Sequence, residues 1–222
     1  DYAVVCGCDC PDRFIISGFQ SLKALSSEPC RPFDMERLGL NLGEAAATIL
    51  LSREVPQRQT GNIWHISHGF IRNDAFHISA PSKTSDGLYK ALKETCSGVD
   101  KEKLAFVNAH GTATLFNDQM ESIAIQRAGL ADIPINALKG YFGHTLGAAG
   151  VLETILSMKA VDNHTIIGTR GYQEAGVSGK VDISAENRST DKRSFIKMLS
   201  GFGGCNATVF VSKDNCTLSA KE

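Results

Sequence analysis

The sequence lacks any apolar run approaching the ~20 residues of a membrane span, so no bilayer-spanning helix is expected. It also lacks an excess of either charge: 23 basic residues face 24 acidic ones, with no long run of one sign. That leaves no electrostatic footprint for nucleic acid or anionic lipid, and partners must be recognised by shape and specific groups. Internal repeats and low-complexity segments are absent. There is no initiating methionine and no signal-like opening; the chain starts almost directly in the strand-like run Tyr2-Ala-Val-Val-Cys6, which reads as the continuation of a longer protein. No even-numbered cysteine framework is present. The seven cysteines (Cys6, Cys8, Cys10, Cys30, Cys96, Cys205 and Cys216) are odd in number and scattered, which suits buried reduced thiols and an expected cytoplasmic setting. Cys6-Gly-Cys-Asp-Cys10 has the look of a metal cluster, but no second Cys/His group at zinc spacing follows it, and no metal is expected.

What is present is ordinary globular material, 42% hydrophobic and 21% charged over 222 residues. Short β-rich runs alternate with helical patterns, which predicts an α/β layered fold. The expected strands are Tyr2 to Cys6, Ala45 to Leu51, Ile63 to Phe70, Leu104 to Ala109, Ile133 to Asn136, Phe195 to Leu199 and Thr208 to Val211. Helices are expected at Phe14 to Leu25, Gly87 to Cys96, Gln119 to Ala128 and Ala148 to Val161. The polar Arg53 to Gly61 stretch is the best internal boundary, dividing 1–52 from 53–213, with a frayed tail over 214–222. The first piece is too short to bury a core of its own.

Chemistry is concentrated in three glycine-marked segments. The strand ending at Ala109 runs into His110-Gly-Thr-Ala-Thr114, followed by Asn117-Asp118 and Glu121; the carboxyl end of a strand is where α/β folds carry reactive groups. Lys139-Gly-Tyr-Phe-Gly-His144 leads towards a helix, with Thr145 as its expected cap and the helix dipole as the expected cause of a neutral His144. Leu199-Ser-Gly-Phe-Gly-Gly204 is a glycine-rich turn suited to aiming backbone N–H groups at an oxyanion. Bland readings stand beside these. Asp118 and Glu121 have capping-box spacing, which is favoured for Asp118 and left open for Glu121. Phe202 is either a gate or core filler; Val151, Leu152, Ile155 and Leu156 form a packing stripe; His65, His68, His77 and His164 are structural or exposed. A zinc site built from His110, His144 and Glu121 is allowed by ligand type alone.

In order and spacing, above all Lys139-x4-His144 and Gly201-Phe-Gly-Gly204, these segments resemble the β-ketoacyl synthases, the condensing enzymes of fatty-acid and polyketide synthesis. The resemblance extends through Asp9, Arg31-Pro-Phe-Asp34 and Gly43-Glu44. It implies a thiolase-like fold of α-β-α-β-α layers, here the end of the first half and the whole second half. It further implies decarboxylative condensation of an acyl thioester with malonyl-acyl carrier protein, without cofactor or metal, in a homodimer or a ketosynthase heterodimer. Carried over by position, His110 and His144 hold the malonyl thioester oxygen, Lys139 orients His110 with Glu121 in its network, and Thr112 and Thr114 contact the pantetheine arm. Phe202 gates the acyl pocket and, with Gly203 beside it, belongs to the oxyanion turn. The nucleophilic cysteine of such an enzyme is expected upstream of Asp1, so this chain alone is expected to be inactive in condensation. Ser200, Gly140 and Cys205 depart from the family's usual residues and bear on acyl-chain preference. The rival is a chain-length-factor-like partner subunit that keeps the fold without catalysis.

Overall fold

The computed structural model describes residues 1–54 and 62–213; the greater part of the expected Arg53 to Gly61 boundary, the 214–222 tail and Cys216 lie outside the described residues. In chain order the elements are β1 (Tyr2–Asp9), α1 (Arg13–Ser21), β2 (Ala45–Ser52), β3 (His65–Asn73), α2 (Asp86–Thr95), β4 (Leu104–Asn108), α3 (Leu115–Arg127), β5 (Pro134–Asn136), α4 (Lys139–Phe142), α5 (Ala149–Asp162), β6 (Thr165–Ile166), β7 (Asp182–Ile183), β8 (Arg188–Ser189), β9 (Ser194–Gly201) and β10 (Cys205–Ser212). Each strand and helix expected from sequence is present, with ends displaced by a few residues. The helix expected to reach Leu25 stops at Ser21, because Lys23 adopts a positive φ of 52° that a continuing helix forbids.

The main sheet has the order β3-β10-β9-β4-β5-β7, antiparallel across β3, β10 and β9 and parallel from β9 through β4 and β5 to β7. A strand in the middle of a sheet covered on both faces should be apolar throughout, and every residue of β4 is buried. On one face, α2 and α3 cover Leu104, Val107, Ile196, Met198 and Phe210. On the other, Ala105, Phe106, Phe195 and Val211 pack with Val161 of α5, and Phe106 stacks on Phe195 with ring centroids 5.4 Å apart. A register irregularity between Leu104 and Phe106 moves the alternation by one residue, which is why Ala105 and Phe106 share a face. Helix α5 also packs against β1 and β2, an antiparallel pair of their own. The result is four successive layers, β-α-β-α, with α5 between the sheets.

The 1–52 piece is fastened to the rest through Arg31-Pro-Phe-Asp34. Phe33 is fully buried in the main core at a φ of 64°, and its N–H donates to Asp118 Oδ2 at 2.8 Å. Asp34 accepts from the N–H groups of Glu36, Gln173 and Glu174, which hold its carboxyl below the usual range even though partial burial pushes the other way. Two sequence expectations are corrected here. Asp118 lies inside α3, three residues past its start at Leu115, and serves Phe33 and Arg37 instead of capping. The described thiols are free but not uniformly buried: Cys6, Cys8, Cys10 and Cys205 are exposed, the face of β1 that carries Cys6 and Cys8 being uncovered, as Tyr2 and Val4 on it are, and Cys10 following the strand's end.

Candidate active site

His110 follows β4 directly, where the strand leaves the sheet. Its N–H and that of Gly111 both donate to Glu121, at 2.7 Å each, so one buried carboxylate of α3 fixes the backbone of the histidine turn. Gly111 has a φ of 51° and a Cβ there would sit 2.3 Å from that of Ala137, which leaves glycine as the residue that fits. Glu121 and Lys139 are thus joined through His110 and not directly: the carboxylate takes the His110 N–H, and Lys139 Nζ lies against the His110 ring and carbonyl. The Glu121 carboxyl is pushed up to about 7 by burial and by Asp118, against the pull of those N–H donors.

His144 is placed by the other end of the molecule. Its N–H donates to Asn41 O at 2.7 Å and its carbonyl accepts from Gly43 N–H at 3.0 Å, so the 41–43 segment clamps it. Asp9 accepts from Gly147 N–H, tying the following turn to β1. The expected cap is corrected: Thr145 makes no capping bond, its buried hydroxyl has no partner, and a 3-10 turn over Leu146–Ala148 intervenes before α5 starts at Ala149. Burial, followed by the Lys139 charge, brings His144 down to about 3 and His110 well below the usual histidine range.

The two rings meet edge to face with centroids 4.9 Å apart. His144 Nδ1 accepts from Leu146 N–H at 3.0 Å, and His110 Nδ1 lies 3.3 Å from Lys139 Nζ, an ammonium that only donates. These partners assign both rings the tautomer in which Nε2 carries the proton. Lys139 completes its three donor positions with His110 O at 2.5 Å and Glu153 Oε1 at 2.7 Å. Glu153 and Lys197 are the residues that sequence reading missed. Lys197 of β9 hydrogen-bonds the second oxygen of Glu153, and Lys139, Glu153 and Lys197 are all buried. Two signals were available: Glu153 is a charged residue set directly after the apolar Val151-Leu152 in the first half of α5, and Lys197 interrupts the apolar run Phe195-Ile-Lys-Met-Leu199. The most buried face of α5 is Ala149, Glu153, Ser157 and Ala160, whereas the expected packing stripe of Val151, Leu152, Ile155 and Leu156 is only half-buried.

A cavity of about 360 Å³ opens in front of the histidines, lined by His110, His144, Thr112, Thr114, Ser200 and Phe202 among others. Thr112 and Thr114 share a hydroxyl contact of 2.9 Å on its wall. Phe202 is 55% exposed, too much for core filler, and stacks on Phe19 at 5.7 Å. Gly203, at a φ of 80°, does not line the cavity; its N–H donates to Ile78 O at 2.6 Å. Among the described residues no cysteine lines the cavity and no set of His, Cys, Asp and Glu is arranged to hold a metal. The other described histidines lie elsewhere; His68, for example, binds Thr95 O and stacks on Phe210.

Comparison with known proteins places this geometry. Residues 1–56 match the beta-ketoacyl synthase N-terminal domain and residues 65–173 match its C-terminal domain. The chain is 32% identical to 3-oxoacyl-acyl-carrier-protein synthase 2 of Rhizobium meliloti, over 90% of this chain and 51% of that protein. Among solved structures, a ketosynthase in complex with its chain length factor from Xenorhabdus doucetiae superposes with a TM-score of 0.84 at 31% identity, over 96% of this chain and 53% of that one. A beta-ketoacyl synthase from Burkholderia phymatum gives 0.87 at 28% identity, over 96% and 55%. The chain thus spans about half the length of the relatives it matches. The two imidazoles and the buried lysine behind them all fall within the match to the C-terminal domain, and the chain belongs to the β-ketoacyl synthase family with its thiolase-like fold.

Proposed function

We propose that this chain supplies the carbonyl-polarising part of a condensing enzyme acting on acyl and malonyl thioesters of acyl carrier protein, in fatty-acid or polyketide synthesis. The observation that carries the reading is the pair of neutral imidazoles aimed into one cavity. A malonyl thioester oxygen seated between the two Nε2–H groups accepts both hydrogen bonds. The bond from the α-carbon to the carboxylate then breaks, carbon dioxide leaves, and the electron pair passes into an enolate whose charge rests on that oxygen. Neutral donors fixed in place by their own partners stabilise the anion without reorganising. The enolate carbon next attacks the acyl thioester carbonyl and expels thiolate, giving a 3-oxoacyl thioester. Thr112 and Thr114 take the pantetheine arm, Phe202 gates the acyl pocket, and the Phe202 N–H serves the acyl oxyanion, with the Gly203 amide, already spent on Ile78, holding the turn. The thiol that accepts the acyl group comes from outside the described residues, since none of their cysteines lines the cavity, and the chain alone does not condense. The working assembly is a homodimer or a ketosynthase heterodimer.

A chain-length-factor role is the second reading, because two of the solved neighbours are ketosynthases determined with such a partner. The intact lysine and both histidines favour catalysis. The test is carbon dioxide release from malonyl-acyl carrier protein by the complete enzyme and by its His144→Ala variant. Loss of one of two oxyanion donors is expected to slow release by on the order of 10²–10³-fold; equal release by both proteins would sink the assignment.

A further inference from the structure

Lys197 has no place in the chemistry above, yet it is among the most buried polar side chains of the molecule. We propose that Lys197 is a positioning residue for the two histidines, fixing Lys139 through Glu153 and the strand end before His110 through the Ala109 carbonyl, and setting a second ammonium behind both imidazoles. The inference rests on the condensing-enzyme reading and adds to it a residue that acts through its neighbours.

The geometry is specific. In the parallel pairing of β4 with β9, Asn108 is opposite Lys197, which puts the lysine one step from the strand end that becomes His110. Lys197 Nζ reaches Ala109 O at 3.3 Å and Lys139 Nζ reaches His110 O at 2.5 Å, so two ammoniums hold two consecutive carbonyls. Glu153 gives one carboxylate oxygen to each lysine. The triad is buried and carries one negative charge against two positive ones. The groups that face Lys197 are Glu153 from α5, Lys139 from α4 and Glu121 from α3, with the two imidazoles in front. Glu121 does not cancel the excess, because burial and Asp118 raise its carboxyl to about 7 and its oxygens bond His110 N–H, Gly111 N–H and Asn117 instead of either lysine.

An uncompensated buried cation weakens the resting protein and strengthens any state in which a negative charge forms nearby. The enolate oxygen between the Nε2–H groups is such a charge, and it forms only as the reaction proceeds, so the effect appears in kcat more than in KM. The same cation repels a proton from either imidazole, and Lys197 is among the groups holding both histidines neutral. A lysine that merely fills space would do neither.

Lys197→Met keeps length and apolar volume and removes the charge. In the complete enzyme it is expected to lower kcat for malonyl decarboxylation on the order of ten- to a hundred-fold with KM unchanged. Burial, with Lys139 pushing the same way and Glu153 opposing, brings Lys197 down to about 8. Unmodified enzyme should therefore lose rate above that pH and approach the Lys197→Met value, while Lys197→Arg, which keeps the charge, retains its rate. The ¹⁵N signals of the His144 ring, which has Lys197 but not Glu121 among the charges acting on it, followed from pH 6 to 10 in unmodified protein, should shift near pH 8 although the ring does not change protonation, whereas a shift centred near 7 would report Glu121 and count against Lys197; this needs no variant to fold. Absence of that shift, or an unaltered kcat and pH profile in a folded Lys197→Met enzyme, overturns the proposal. If unmodified enzyme releases no carbon dioxide, the condensing reading fails, and the ring signals still decide Lys197.

Discussion

Glu153→Gln tests the buried triad most directly, since the substitution preserves shape and removes one charge. In the native protein the two lysines each donate to Glu153, and the carboxyl, although burial raises it, is held below the usual range by the two ammoniums. With glutamine, two ammoniums remain buried with a single neutral oxygen between them. Breaking a buried pair by removing one partner costs about 3–5 kcal/mol, most of it the desolvation of the charge left behind. The loss should depend on pH in a definite direction. Without its carboxylate, Lys197 binds its proton less readily in the fold than in the unfolded chain, so the unfolded state holds more protons and stability rises with pH. Urea unfolding of the two proteins at pH 7 and pH 9.5 measures both effects: a deficit of several kcal/mol at the lower pH that shrinks at the higher one. A deficit below about 1 kcal/mol, or one independent of pH, would mean that the triad is solvated or already neutral, and the charge argument would fail.

Acid should destabilise the fold with a break in slope. His144 titrates at about 3 in the fold and near 6.5 unfolded, so the unfolded chain binds the extra proton, and stability falls as pH drops through that window by roughly 4–5 kcal/mol in full; His110 acts the same way. Glu121, raised to about 7, binds its proton first in the fold and offsets part of the loss until the unfolded chain's glutamates also protonate near 4.5. Unfolding free energy plotted against pH should therefore steepen below about 4.5, although Asp118, also raised by burial, softens the change; a constant slope would refute the assignment. Gly43→Ala should cost about 1–3 kcal/mol and displace His144, because the new Cβ would stand 2.0 Å from Phe142 O, a backbone atom that no rotamer change moves. Thermal unfolding together with decarboxylation by the variant checks this, and near-normal values in both would be the wrong outcome for the clamp.

The element pattern was legible because period and punctuation are local properties. Apolar runs gave β4, β9 and β10, helical spacing gave α2 and α5, and Gly203 and Gly204 marked the turn between the last two strands. His110, Lys139 and His144 were legible as one site only through the order and spacing shared with the family. The capping expectations failed for a physical reason: a carboxylate at capping spacing is indistinguishable in sequence from one recruited across the molecule, as Asp118 is by the Phe33 N–H.

The amino-acid sequence by itself determined the alternation of strands and helices, the three glycine-marked turns, and the residue types able to polarise a carbonyl, since each depends on neighbours within a few positions. Only the tertiary structure decided that Glu153 and Lys197 stand behind the histidines, that Glu121 serves backbone and not Lys139, and that burial with the lysine charges keeps the imidazoles neutral. Those are consequences of bringing β4, β9, α3 and α5 together, because electrostatic strength in a protein is set by how far water is excluded, and no single segment excludes it alone.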